Sequence, residues 1–281
     1  MVKSIEISGD EFRRMQLIEL DMLKEFDGVC RRNNINYSII GGTLLGSVRH
    51  GGYIPWDDDA DIGMLREDYE KFKKVAYQLD ESICYFQDHS TDPEYRWGYG
   101  KLRRTGTTFV RTGQEHLKCK TGVFVDVFPL DDVPKSVLGQ MFQDFRCFCL
   151  RKIMWSEVGR LADSEGPFMR KWYALLSKID IDWVFSRLKK MENKSSNSST
   201  NKVRILTFKA LGKLYIHHPI HERYGMPKEW FLDTVDYEFE DTKLLGVRDY
   251  DAFLKYMFDD YMTLPPEENR QRHSPVSSYS F

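Results

Sequence analysis

The sequence predicts an α+β fold built on an α/β core. Three observations carry this reading: an N-terminal stretch whose apolar residues recur at helical spacing, a set of short apolar runs that alternate or stop at glycine, and a second helix-period stretch between two of those runs. The order that results is helix, strand, helix, strand, helix, then several strands, with long aromatic-rich helices after Pro134.

Taken in order, Ser8 with Glu11 three positions on fits a capping box. Phe12, Met15, Ile18, Leu20, Met22, Leu23 and Phe26 then continue a helix to Asn33 and Asn34. Tyr37 to Ile40 reads as a strand closed by Gly41 and Gly42, and residues 43–48 as a short helix. Residues 59–64 alternate, with Asp59, Asp61 and Gly63 on one face and Ala60, Ile62 and Met64 on the other. A helix is expected over 66–79, then strands near 84–87, 99–103, 107–111 and 123–128. Long helices are expected over 137–158 and 168–190, a polar Ser/Asn-rich loop over 192–202, and a further helix over 203–214. Residues 230–239 read as one or two strands, and 251–262 as a last helix stopped by Pro265 and Pro266. The expected organisation is a catalytic core over 1–134, a mostly helical region packed on it over 135–264, and a flexible tail over 265–281.

Composition bounds the function. Charged residues make up 30% of the 281 residues and the net charge is -2, a near balance that argues against nucleic acid as a partner and against a polybasic membrane protein. No apolar run approaches the roughly 20 residues that span a bilayer. Five scattered cysteines do not make a disulfide framework, so a reduced, cytoplasmic setting is expected.

The chemistry concentrates in GGTLLGSVRHGGYIPWDDDADIGM, residues 41–64. Asp59 and Asp61, two apart on a strand, put two carboxylates on one face, where each raises the other's pKa unless a cation joins them. Asp57 is in phase with them and joins if the strand extends back that far. Asp126 stands inside the apolar run GVFVDVFPL, where an unpartnered carboxylate is costly. If its strand lies beside the first, three carboxylates converge on one or two Mg²⁺ ions, with Mn²⁺ an alternative. Gly41, Gly42 and Thr43 would line a phosphate pocket. Arg49, Lys101 and Arg103 are the candidate phosphate contacts, His50 a further one, and Trp56 a stacking platform for a base or a choline. His217, His218 and His221, or His116 with Cys119, are less specific as zinc ligands because neither set has a second pair at structural spacing. Cys147 and Cys149 read as core.

The glycine pair, the later Asp-x-Asp and the distant third Asp resemble the nucleotidyltransferase fold of the DNA polymerase β superfamily. The whole 41–64 string is similar to the signature of the LicD family, as are YGKLRRTGTTF at 99–109, VFVDVFPLDDVP at 123–134 and DYMTLPPEENRQRH at 260–273. Fukutin-related proteins resemble the same first block. The resemblance implies a mixed sheet flanked by helices, with a helical C-terminal extension. It implies transfer of a phospho-alcohol, phosphocholine first, from a CDP-activated donor to a glycan or lipid-linked glycan of teichoic acid, lipopolysaccharide or capsule, with release of CMP. CDP-ribitol or CDP-glycerol is the alternative donor, and a non-catalytic nucleotide-binding protein the further one. It implies Asp59, Asp61 and Asp126 as the catalytic set and Asp57 as an accessory ligand. The aromatic-rich helices over 137–190 read as packing on the core, with binding of a lipid-linked acceptor at the inner face of the membrane as the alternative. One departure stands out: Phe258-Asp259-Asp260-Tyr261 occupies the place of a Tyr-Gly-Asp-Tyr-like segment.

Overall fold

The computed structural model describes residues 4–162, 164–196, 200–208, 224–270 and 275–281. Helix α1 (Gly9–Arg32) opens with the expected box: the Glu11 amide donates to Ser8 Oγ at 3.3 Å, and the Ser8 hydroxyl donates back to the Glu11 carboxylate at 3.2 Å. Its apolar face, including Met15, Met22, Leu23 and Phe26, is buried against the sheet.

The chain then alternates β1 (Ser38–Ile39), α2 (Gly41–His50), β2 (Asp61–Leu65) and α3 (Arg66–Val75). The strands β3 (Cys84–Gln87), β4 (Gly100–Arg104), β5 (Thr108–Arg111) and β6 (Phe124–Asp132) follow. Every residue of β6 is buried, so it runs through the middle of the fold. Helices α4 (Val137–Gly159), α5 (Pro167–Leu176) and α6 (Ile181–Ser196) come next, then β7 (Lys202–Arg204), β8 (Met226–Pro227), β9 (Thr234–Phe239) and β10 (Thr242–Val247). Helix α7 (Tyr250–Phe258) and β11 (Val276–Ser280) complete the described chain.

The central sheet runs β3-β4-β6-β2-β1-β10-β9, with β7 and β8 continuing from β6. The β2–β6 and β1–β10 pairs are parallel and the rest of the path antiparallel, which makes a mixed sheet in an α+β protein. A smaller apolar cluster of Cys147, Leu150, Ile153, Met154, Val184, Leu188, Met191 and Leu206 ties α4 to α6.

Several expectations change: Trp230 and Phe231 form a 3-10 turn ahead of the strand, and the last helix ends at Phe258 and not at Met262. The helix expected over 168–190 is two helices, because Asp180 Oδ1 accepts the Asp182 amide at 2.8 Å and starts a new one. Residues up to Ser196 of the expected polar loop continue α6. Residues 203 and 204, expected to open a helix, belong to β7 instead, because Val203 pairs with both Asp132 and Met226. Residues 276–280 of the expected tail form β11, which pairs with β5 and closes a separate two-stranded sheet. The strand β10 had no sequence expectation, yet it lies beside β1 and completes the central sheet from within the region expected to be mostly helical. His217, His218 and His221 lie outside the described residues.

Candidate active site

The site is written into the register of three neighbouring strands. Asp61 of β2 sits opposite Asp126 of β6, and Asp126 sits opposite Lys101 of β4. Cross-strand partners share a face, so two carboxylates and one ammonium stand in a row. Asp61 is fixed by its backbone: its amide donates to Thr43 Oγ1 at 2.8 Å and its carbonyl accepts the Ile40 amide at 3.0 Å. The Asp126 amide donates to the Ala60 carbonyl at 2.9 Å, which locks β6 to the approach into β2.

Asp59, Asp61 and Asp126 each offer a carboxylate oxygen within 4.8 Å of the others, and Asp57, Asp58 and Asp59 form a second such group. Asp59 is the shared member. Asp57 joins through it rather than standing with Asp61 and Asp126, because regular strand begins only at Asp61. The glycine pair makes room for these acids. A Cβ on Gly42 would stand 2.3 Å from Asp57 Oδ2, and Gly41, at φ 56°, would place one 3.1 Å from Asp61 Oδ2.

Burial and mutual repulsion push these carboxyls up. Asp59 rises to about 6, through burial first and then Asp126 and Asp58. Asp61 is raised well above the carboxylate range by burial, Asp59 and Asp126. Two cations oppose this. The Lys101 ammonium, only 3% exposed, binds Asp126 and lies over the Phe124 ring at 3.5 Å. Burial pulls it down to about 7 against the pull of Asp126. Arg111 Nη2 stands 3.7 Å from Asp59 Oδ2, and its guanidinium is 4.8 Å from the Phe124 ring centroid. Its Nε is buried without a hydrogen-bond partner. Three hard oxygen donors within 4.8 Å of one another suit a divalent cation.

Lys101 and Arg111 open into a cavity of about 250 Å³. Its walls are Trp97, Tyr99, Phe109, Phe124, Trp155 and Phe208, and Arg103 and Arg151 add two more cations with no carboxylate among the lining residues. Arg103 is held there at its far end, with Nε donating to Gln87 Oε1 at 2.7 Å and Nη1 to the Gly122 carbonyl at 2.9 Å.

Arg49, His50 and Trp56 gather elsewhere. Arg49 and His50 occupy the last turn of α2, roughly 12 Å along the axis from Gly41 at 1.5 Å per residue. Arg49 Nη1 donates to the Tyr261 carbonyl at 2.7 Å. The His50 and Trp56 rings meet edge to face at 6.1 Å, and the Arg270 guanidinium covers Trp56 at 5.3 Å. Trp56, Arg270, Asp58 and Glu6 line a separate open cleft of about 680 Å³. Nor does the other weighed pair, His116 with Cys119, gather further ligands. His116 Nε2 contacts the Glu157 carbonyl at 3.0 Å, and no metal-ligand group among the described residues includes either residue.

Comparison with known proteins gives the chain's likenesses. Residues 34–154 match the family described as LicD/FKTN/FKRP, nucleotidyltransferase domain. That stretch, less than half of the chain, is similar to the LicD family. The chain is 29% identical over 275 residues to the lipopolysaccharide cholinephosphotransferase LicD of Haemophilus influenzae, covering 95% of this chain and 97% of that protein. It is 49% identical over 41 residues to the human ribitol 5-phosphate transferase FKRP, which is 15% of this chain and 8% of that one. An uncharacterized protein of Rickettsia prowazekii is 41% identical over 80 residues, 28% of this chain.

Several residues escaped sequence reasoning. Arg111 shares strand parity with Phe109 on β5, a signal visible in TTFVR but not decisive without the partner sheet. Glu19 sits on the apolar face of α1 and is 1% exposed. Burial, then Asp59, Asp58 and Asp57, raise its carboxyl well above the usual range. An acid at i+4 from Met15 and i−3 from Met22 was the available clue. Gln16 one turn earlier donates to the Asp57 and Ile54 carbonyls at 3.0 and 3.2 Å and holds the acidic loop down.

Proposed function

We propose that this LicD-like chain is a Mg²⁺-dependent phosphotransferase that moves a phospho-alcohol from a CDP-linked donor to a sugar hydroxyl of a cell-surface glycan and releases CMP. The observation that carries the reading is the in-register row of Asp61, Asp126 and Lys101, joined by Asp59 and Arg111. Full-length likeness to a cholinephosphotransferase supports phosphocholine as the transferred group.

Asp59, Asp61 and Asp126 would hold the cation, with Asp57 and Asp58 beside them. The bound ion would supply charge neutralisation at the phosphates and a lower pKa for an oxygen it touches. The acceptor oxygen attacks the phosphorus that bears the alcohol. A new P–O bond forms, the bond to the CMP oxygen breaks, and the acceptor proton passes to a cluster carboxylate, with Asp126 the first candidate. The cavity beside Lys101 and Arg111 suits the nucleotide half of the donor: aromatic walls for a base, guanidinium groups for phosphate. The same cavity gives one specific reason to keep a second donor class in view. Were the alcohol end seated there in place of the nucleotide, its four cations and lack of an acid would suit a CDP-polyol such as CDP-ribitol or CDP-glycerol better than a quaternary ammonium. A choline end would instead reach toward the cleft of Trp56, Asp58 and Glu6.

The test is CMP release from CDP-choline, CDP-ribitol and CDP-glycerol, each with Mg²⁺ and with EDTA. One donor should turn over, EDTA should abolish it, and Asp61→Asn or Asp126→Asn should lower the rate about 100-fold or more. Turnover that survives EDTA and both substitutions would sink the assigned site.

A further inference from the structure

Helix α4 shows two faces. Its inner face supplies Arg151, Met154 and Trp155 to the wall of the cavity beside the acids. Its outer face carries Leu138, Met141, Phe142, Phe145 and Phe148, spaced i, i+3, i+4, i+7 and i+10, which at 3.6 residues per turn make one continuous stripe. These residues stand in solvent: Leu138 is 79% exposed, Phe142 60% and Phe145 64%. Helix α5 repeats the pattern with Phe168, 79% exposed, Trp172 and Leu175. Exposed aromatics at this density on two adjacent helices are not the scattered surface apolar residues of an ordinary globular protein.

The charges around the stripe are one-sided. Arg146 flanks it with its guanidinium 5.6 Å from the Phe142 ring, and Lys152, whose Nζ stands 5.7 Å from the Phe148 ring, turns that ammonium inward to donate to the Tyr173 hydroxyl at 2.7 Å. Helix α5 adds Arg170 and Lys171 and contains no acid. The two acids of α4 are engaged off the stripe, Asp144 by Arg204 at 3.0 Å and Glu157 by Arg160 at 2.6 Å. No helix of the described residues is long and apolar enough to cross a membrane.

We propose that the outer faces of α4 and α5 rest on an anionic lipid bilayer, with the Phe and Trp side chains in the headgroup–acyl boundary and the lysines and arginines against lipid phosphates. A second copy of the chain fits less well, because an isologous contact would set this basic face against itself. Lying on the bilayer, α4 would hold the cavity it lines next to the surface, where a lipid-linked acceptor is presented. That consequence rests on the proposed function; the membrane contact itself does not.

The test is co-sedimentation of the whole chain with vesicles of phosphatidylglycerol and phosphatidylcholine, against phosphatidylcholine alone and against raised salt. Binding to the anionic vesicles should weaken at least about tenfold in Phe142→Ser/Phe145→Ser, and should fall with salt. Tyr77→Ser, at an exposed position remote in sequence from both helices, should bind as wild type. Light scattering and circular dichroism of the double variant should match wild type. Equal binding of the double variant and wild type would overturn the proposal. So would a wild-type dimer that the double substitution turns into a monomer, since the stripe would then face a second copy. CMP release from the CDP-linked donor with a soluble acceptor, measured separately, should be unchanged in the double variant, so loss of vesicle binding and failure of the catalytic reading are distinguishable.

Discussion

At the scale of single residues, charge balance governs the site. Asp59, Asp61 and Asp126 are close enough to raise one another's pKa, and Lys101 and Arg111 offset part of that repulsion without filling the coordination a divalent ion would take. The most informative single residue lies elsewhere. Asp259 has φ 56° and ψ −105°, a backbone region that costs any residue with a Cβ, and it stands where the family-like segment has glycine. Asp259→Gly should therefore stabilise the protein by about 1 kcal/mol, read as a higher urea midpoint at unchanged slope. An unchanged or lower midpoint would mean that the Asp259 side chain contributes more than the backbone strain removes.

At the scale of elements, two packings decide how well the site is held. Helix α2 passes the return loop so closely that a Cβ on Gly46 would lie 2.4 Å from the Gly52 carbonyl oxygen, and backbone cannot step aside as a side-chain end can. Gly46→Ala should cost about 2–3 kcal/mol in denaturant unfolding, more than Gly51→Ala, where a Cβ would meet open space and only the left-handed φ of 70° is strained, at about 1 kcal/mol. Helix α6 is joined to the sheet by Glu192, which meets Arg66 at 3.1 Å while Arg66 grips Asp131 at 2.7 Å. Burial, opposed by Arg66 and aided by Asp131, raises the Glu192 carboxyl to about 7. A raised folded pKa means that the native state holds a proton the unfolded chain has released, so this contribution is full below the ordinary value of 4.5 and is lost as pH rises toward about 7. Glu192→Gln should leave the melting temperature unchanged near pH 4 and raise it by about 2 °C near pH 8. A difference of the opposite sign would show that the ionised carboxylate is the favoured native form.

At the scale of the whole molecule, the ends of the chain reach the centre. Strand β11 pairs with β5 so that Val276 lies opposite Arg111, and Ile5 bridges to Val276 from the other side. Tyr279 donates its hydroxyl to Glu11 on α1 at 2.5 Å, and Arg14 reaches the Phe281 carbonyl at 3.2 Å. The segment expected to be a loose tail thus fixes the strand that presents Arg111 to Asp59. Removing residues 275–281 should lower CMP release about tenfold or more through Arg111 misplacement, while far-ultraviolet dichroism stays near wild type. Full activity in the truncated protein would show that β5 holds Arg111 without its partner.

The sequence by itself determined the acids and the spaces made for them. Two carboxylates two positions apart, a glycine pair upstream and an aspartate inside an apolar run mark the candidate site, because alternation and burial are local properties of a chain. It also determined α1, α4 and β6, whose caps and periods are internal to each element. Only the tertiary structure decided that Asp126 faces Asp61 and that Lys101 serves Asp126 more than an open phosphate site. Only the tertiary structure drew Arg49, His50 and Trp56 into a cluster with Arg270 and Tyr261. Register between strands, the course of β10 into the sheet and the arrival of β11 beside β5 depend on contacts between residues far apart in sequence. No local periodicity encodes those partners, and packing selects them only when the whole chain closes.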